Sequence, residues 1–85
     1  MFKDIELKVK DIIKKNINAQ EDIGLEENLE QYGLSSITFL KALIELEQEF
    51  SIEFDDTYMM GFEGQTISNI LKYIYHSIGD QNENK

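Results

Sequence analysis

Two adjacent hydroxyls, Ser35 and Ser36, follow Tyr32-Gly33-Leu34 and precede an apolar-periodic run that begins at Ile37. A serine at a helix start faces free backbone N–H groups and the positive end of the helix dipole. A phosphodiester on its hydroxyl would be stabilised there. Other chemistry is hard to assemble. The chain has one histidine, His76, and no cysteine or arginine. Neither serine has a base evident in the sequence, and His76 on a helix flank does not make a nucleophilic pair. Gly61-Phe62-Glu63-Gly64 lacks the lysine and the strand of a phosphate-binding loop. Asp55-Asp56 and Glu26-Glu27 lack the alternating oxygen ligands and closing glutamate of a calcium loop, so solvated acids are the plainer reading. No enzyme activity and no metal site are expected. Ser36 is the candidate covalent attachment point.

The elements that must present Ser36 read as helices. Phe2 to Asn16 carries Ile5, Val9, Ile12 and Ile13 at helical spacing, with Phe2 one turn earlier. Asp4 and Glu6 suit the first turn and Lys14 and Lys15 the last. Acids interrupt the lysines, so this is read as a packing helix and not a membrane-surface helix. Residues 17–34 form a long first loop, anchored by Ile23, Leu25, Leu29, Tyr32 and Leu34, with a short helical turn around Glu26 to Gln31. Ser36 to Phe50 is the strongest amphipathic helix. Ile37, Phe39, Leu40, Leu43, Ile44, Leu46 and Phe50 supply a broad apolar face, and Ser35 is placed as its N-cap. Ile52 and Phe54 are expected to tuck inward from an extended edge, with no second strand to pair with. A short turn of helix follows around Thr57 to Met60 and breaks at Gly61. Thr66 caps a last helix that runs to Ile78, with Ile67, Ile70, Leu71, Ile74 and Ile78 facing inward and Tyr73 and Tyr75 on its flanks. The expected fold is all-α: a small bundle of three main helices plus one short helix, with a long first loop. Residues 1–78 are read as a single domain and 79–85 as a polar flexible tail.

The bulk numbers agree with one small soluble domain. The chain has 85 residues, 41% of them hydrophobic, and a formal net charge of −9. Without cysteine, the core must come from helix packing. No apolar run reaches the roughly 18 residues of a membrane span, and no signal core is evident, so a cytoplasmic protein is expected. Charge is uneven: five of eight lysines fall in the first fifteen residues, and the segment from Asn16 to Leu71 holds twelve acids and one lysine, Lys41. That segment repels phosphate backbones and anionic lipid heads, which argues against nucleic acid and membrane partners. It would attract proteins with basic faces, although the same acids can serve solubility alone.

Taken together, the segment from Leu25 to Ile74 resembles the acyl and peptidyl carrier protein family. The stations are Leu29, Gly33-Leu34-Ser35-Ser36-Ile37, Leu46-Glu47-Gln48-Glu49-Phe50, Ile52 and Thr66-Ile67. The family has aspartate before its modified serine, and this chain has Ser35. As a cap serine serves equally, but the charge is lost. The resemblance implies a 4′-phosphopantetheine arm on Ser36, transferred from coenzyme A by a phosphopantetheinyl transferase, whose thiol holds acyl or aminoacyl cargo as a thioester. It also implies loading, condensing and tailoring enzymes as further partners, and a monomer that shuttles among them. Those partners are expected to read Ser35, Ile37, Lys41, Glu45, Glu47, Met59 and Met60, aided by the acidic surface. Ile37 and one methionine are expected to be exposed, and Leu40 to belong to the core. Lys41, on the helix partners would read, points to a polyketide or nonribosomal peptide pathway rather than housekeeping fatty-acid synthesis. Two other readings stand beside this one: an unmodified carrier-like acidic adaptor, in which Ser36 only starts a helix, and a generic acidic helical interaction domain.

Overall fold

The computed structural model describes the backbone of residues 2–83 and the side chains of residues 4–79. It is all-helical among the described residues: α1 (Phe2–Ile17), a 3-10 turn (Leu29–Tyr32), α2 (Ser36–Phe50), α3 (Asp56–Met59) and α4 (Ile67–Glu83). The bundle of three long helices and one short one is therefore as expected. The side chain of Phe2, placed one turn before Ile5 in the apolar stripe, lies outside the described residues.

Helix α1 buries Val9 and Ile13 completely and packs Ile5, Ile12 and Ile17 against the same core. It stops at Asn18, which takes a left-handed conformation (φ 59°) that asparagine tolerates. The Ala19 N–H then closes on the Lys14 carbonyl at 3.0 Å.

The long first loop is held by burial and by hydrogen bonds to the far side of the bundle. Ile23, Leu29 and Leu34 are core residues, with Leu25 and Tyr32 packed beside them. The Leu29 N–H donates to the Gln65 carbonyl at 2.8 Å, and the Ser68 N–H donates to the Leu25 carbonyl at 2.9 Å. The Gly64 N–H donates to the Glu30 carboxylate at 3.1 Å. The loop thus closes onto the start of α4, which satisfies backbone groups that a loop of this length would otherwise leave unpaired.

Helix α2 buries Phe39, Ala42, Leu43 and Leu46. At about 100° per residue these four share one side, and Ile37, Lys41 and Ile44 fall on the opposite side, with Leu40 between. The apolar face expected across all of these positions therefore divides in two. Leu40, expected in the core, is 42% exposed, as is Ile44. One-turn α3 borders that side at Ile37 and Leu40, and the end of α1 borders it at Ile44, yet all three stay exposed.

After α2 the chain leaves through Ser51 in a left-handed conformation (φ 55°). Ile52 and Phe54 then bury as expected, at 4% and 5% exposure. The Glu47 carboxylate accepts from the Phe54 N–H at 2.8 Å, and the Tyr73 hydroxyl accepts from the Asp55 N–H at 2.9 Å. Phe54, Tyr58 and Tyr73 form a ring cluster, with centroids 4.5–5.7 Å apart. Tyr58 also reaches Phe39 of α2 at 6.0 Å. This cluster docks α3 onto α2 and α4. Gln65 is the buried polar residue among those described. Its amide donates to the Gly61 carbonyl at 2.8 Å and accepts from the Tyr58 hydroxyl at 3.3 Å, so burial leaves it paired.

Helix α4 starts as read, with the Thr66 hydroxyl accepting from the Asn69 N–H at 3.0 Å. It runs five residues beyond the expected end at Ile78, to Glu83. Gly79 lowers helix propensity without ending the helix, and no proline follows. Asn84 and Lys85 lie outside the described residues.

Candidate functional site

The chain reaches Ser36 through a turn that only a few residue types would allow. Gly33 ends the 3-10 turn at φ 102°, with its N–H directed to the Glu30 carbonyl at 3.1 Å. A Cβ at this position would meet nothing within 4 Å. Glycine is therefore favoured by backbone conformation and not by space. Leu34 then buries to 5% exposure and fixes where α2 can begin.

Ser35 and Ser36 do different jobs. Ser35 is the N-cap: its hydroxyl accepts from the Thr38 N–H at 3.3 Å, and the Thr38 hydroxyl accepts from the Ser35 N–H at 2.8 Å. This is a reciprocal capping box, with threonine where glutamate is more usual. Ser36 is the first helical residue and is exposed, and its hydroxyl has no hydrogen-bond partner among the described residues. It opens onto a groove of about 550 Å³ lined by Ile37 and Leu40 from α2, by Asp56 and Met59 from α3, and by Met60 just after it. Ile37 is 65% exposed and Met60 80%, while Met59 is half-buried. The expectation of one exposed and one packed methionine is met.

The remaining expected residues are spread further. Lys41 lies exposed on the outer side of α2 and lines a separate shallow recess with Lys15, Asn16, Ile44 and Glu45. The Glu45 carboxylate meets the Lys15 ammonium at 2.6 Å and the Asn16 amide at 2.6 Å. The hydrogen bond from Lys15, followed by that from Asn16, holds its carboxyl below the usual range. Glu47 turns inward to the Phe54 N–H. The structure thus gathers Ser36, Ile37, Met59 and Met60 in one place and sets Lys41 beside it. It engages Glu45 and Glu47 within the fold. Leu40 and Asp56 also line the groove and were not singled out for it. For Leu40 the signal was present, since it stands about 100° around the helix from the line through Phe39, Leu43 and Leu46.

Asp56 is the one ionisable residue that lines the groove, and His76 does not line it. No cluster of three or more histidine, cysteine or acidic residues able to hold a metal ion occurs among the described residues. Among these residues, no helix is long and apolar enough to cross a membrane.

A profile of the phosphopantetheine attachment site family matches residues 7–74, a span from α1 to α4 with Ser36 inside it. The chain belongs to this family. It is a carrier protein of the acyl and peptidyl carrier type, and the group such domains bear is a covalently attached 4′-phosphopantetheine. Family members engage phosphopantetheinyl transferases and biosynthetic enzymes, and their carrier domains are not themselves catalytic. Comparison with curated proteins and with solved structures matched no relative. The residues present fit the group. An unpartnered hydroxyl stands at a helix N-terminus, where free N–H groups favour a phosphodiester, and an apolar groove lies beside it.

Proposed function

We propose that Ser36 is the attachment residue and that the chain is a stand-alone, monomeric cytoplasmic carrier for acyl or aminoacyl intermediates of a polyketide, nonribosomal peptide or fatty-acid type pathway. The observation that carries the assignment is the division between the two adjacent serines. Ser35 commits its hydroxyl to the cap, whereas the Ser36 hydroxyl has no hydrogen-bond partner among the described residues. In the transfer, the Ser36 Oγ bonds to the phosphorus on the pantetheine side of coenzyme A's pyrophosphate. The bond from that phosphorus to the bridging oxygen breaks, and adenosine 3′,5′-bisphosphate leaves. The hydroxyl proton passes to a base on the transferase, since no base among the described residues is hydrogen-bonded to the Ser36 hydroxyl. When bound, the arm supplies a terminal thiol that holds cargo as a thioester, and the chain itself performs no chemistry on that cargo.

Of the residues expected to meet partners, Ile37, Lys41, Met59 and Met60 form the partner-facing set in this proposal, with Leu40 added. Ser35 belongs to the cap, and Glu45 and Glu47 to packing. Residues 1–78 serve as the carrier domain, and α4 continues past it to Glu83.

Incubation of the apo protein with coenzyme A and a broad-range phosphopantetheinyl transferase, followed by intact mass spectrometry, tests the assignment. A gain of one phosphopantetheine is expected in wild type and in Ser35→Ala, and none in Ser36→Ala. Ser35 in place of the family's aspartate favours one other reading, an unmodified adaptor. No mass gain in wild type, or an equal gain in Ser36→Ala, would decide against the carrier.

A further inference from the structure

The fold commits the lysines of this chain unevenly. Lys8 meets Glu49 at 2.6 Å, Lys15 meets Glu45 at 2.6 Å, and Lys10 stands 3.8 Å from Glu6 and 3.9 Å from Asp22. An ammonium held by a carboxylate keeps its proton. The hydrogen bond to Glu49 accordingly pushes Lys8 above the usual lysine range. Lys41 is exposed and makes no ion pair among the described residues. Glu45, one turn on along α2, stands at the spacing of a helical ion pair with it. That carboxylate is already taken by Lys15 and Asn16. Lys14 and Lys72 also lack an ion pair among the described residues, but they line neither the groove at Ser36 nor the recess at Lys41.

Lys41 is also near Ser36 along the helix. The two lie five residues apart on α2, a rise of about 7.5 Å. Ile37 and Leu40 line the groove with Ser36, and Lys41 and Ile44 line the recess. Ile37 and Lys41 are four residues apart, as are Leu40 and Ile44, so groove and recess adjoin on the outer side of α2. Three other charged groups line them. Lys15 and Glu45 in the recess pair with each other, and Asp56 lines the groove from α3.

We infer that Lys41 is a second acyl site of this chain, whose amine takes the acyl group from an arm on Ser36. The inference rests on the carrier reading above. The neutral Nζ bonds to the thioester carbonyl carbon, and the carbon–sulfur bond breaks. The departing sulfur takes up the proton that Nζ sheds, which leaves an amide on Lys41 and a free thiol on the arm. Tethering supplies the concentration. A group on a flexible linker able to span the two sites meets its acceptor at a concentration on the order of millimolar. The transfer empties the arm and removes the charge of Lys41.

The test loads the apo protein with acetyl-coenzyme A and a broad-range phosphopantetheinyl transferase, then removes both by gel filtration. The loaded protein is held at mildly alkaline pH and treated with neutral hydroxylamine, which cleaves thioesters and spares amides. Peptide mapping by mass spectrometry should find hydroxylamine-resistant acetyl on Lys41, about tenfold more than on Lys14 or Lys72. Lys41→Arg, loaded in the same way, should keep its acetyl group hydroxylamine-labile. In an equimolar mixture with loaded wild type, Ser36→Ala should gain about tenfold less acetyl at Lys41, as a tether requires. Both substituted positions are exposed, and circular dichroism confirms that the variants fold. No amide on Lys41 of fully loaded protein, an even spread over the lysines, undiminished resistant acetyl in Lys41→Arg, or equal gain by Ser36→Ala would overturn the inference and leave the carrier reading intact. No gain of acetyl-phosphopantetheine by wild type would sink the carrier reading, and this inference with it.

Discussion

Replacing Glu47 with alanine should loosen the segment that carries α3. The Glu47 side chain is half-buried, and its carboxylate accepts from the Phe54 N–H at 2.8 Å. Phe54 is 5% exposed and stacks on Tyr58, the residue that docks α3. A hydrogen bond to a charged acceptor contributes about 1.5–3 kcal/mol, and its loss leaves a backbone donor unpaired beside the core. The expected cost of Glu47→Ala is therefore about 2 kcal/mol. For a domain of this size that corresponds to a fall in Tm of about 8–16 °C. Glu47→Gln keeps an acceptor oxygen and loses only the charge assistance, so it should cost about 1 kcal/mol. Urea melts at neutral pH give the free energies, provided the slope is unchanged. Amide hydrogen exchange gives a residue-level reading: Phe54 should be protected in wild type and should exchange faster in Glu47→Ala. A Glu47→Ala variant within about 0.5 kcal/mol of wild type, with Phe54 still protected, would refute this role. Equal damage from the glutamine variant would show that charge, and not the acceptor, holds the segment.

Two further predictions concern the core and the first loop. Leu46 is fully buried, so Leu46→Ala should cost about 2–5 kcal/mol in a urea melt, and a negligible change would mean that the inner face of α2 has been assigned the wrong register. Tyr32 donates its phenol to the Glu27 carboxylate, which also accepts from the Gly24 N–H at 3.0 Å. This bond pushes Tyr32 up to about 12 and holds Glu27 below its usual range. A phenol raised in the folded state contributes fully below the ordinary tyrosine value of 10.0 and loses that contribution as pH climbs through about 12. The lowered Glu27 carboxyl contributes above the usual value of 4.5 and loses that contribution as pH falls through its folded value. Tyr58, pushed to about 12 by burial, titrates in the same alkaline window. Tyr32→Phe should accordingly remove part of the alkaline loss and flatten the acid slope, read as urea midpoints against pH; a profile superimposable on wild type would count against the clamp.

The parts of this fold that were legible in the sequence are those governed by neighbours along the chain. Ser35 as a cap, Thr66 as a cap, and the inward stripe of α4 each depend on residues within a turn or two, where helical periodicity applies. The anchors Ile23, Leu29 and Leu34 were legible because large apolar side chains in an otherwise acidic loop have one favourable place to go. What was not legible depends on distant partners. Glu45 was expected to meet partners, yet Lys15, 30 residues away, holds it, and Lys8, 41 residues away, holds Glu49. Glu47 looked equivalent to its neighbours, and only the return of the chain at Phe54 gives it an inward role. The exposure of Leu40 beside α3 and of Ile44 beside the end of α1 depends on how those elements sit against α2, which no local pattern encodes. Seven large apolar residues in fifteen allow a stripe on one side or two separate faces, and tertiary contacts decide between them.

The same distinction explains how the chain manages without an aspartate before Ser36. A cap needs an acceptor oxygen aimed at the third N–H of the helix, and the Ser35 hydroxyl supplies it while Thr38 returns a bond to the Ser35 N–H. The geometry of the helix start therefore does not require a carboxylate. Its electrostatics do change. Helix α2 has no acidic residue in its first turn, so no side chain of its own offsets the positive end of the dipole. On the assignment proposed for Ser36, the negative charge at this helix start is the phosphodiester itself. Such a charge is worth about 0.3–1 kcal/mol at an exposed N-terminus, and an aspartate one residue earlier would repel it at close range. With Ser35 the chain gives up a fixed charge that a transferase could engage before transfer, and in return leaves the helix end open to the charge that transfer delivers. The one carboxylate that lines the groove with Ser36 is that of Asp56, which comes from α3 and not from the helix start, so it leaves the first turn of α2 open to the charge that transfer delivers.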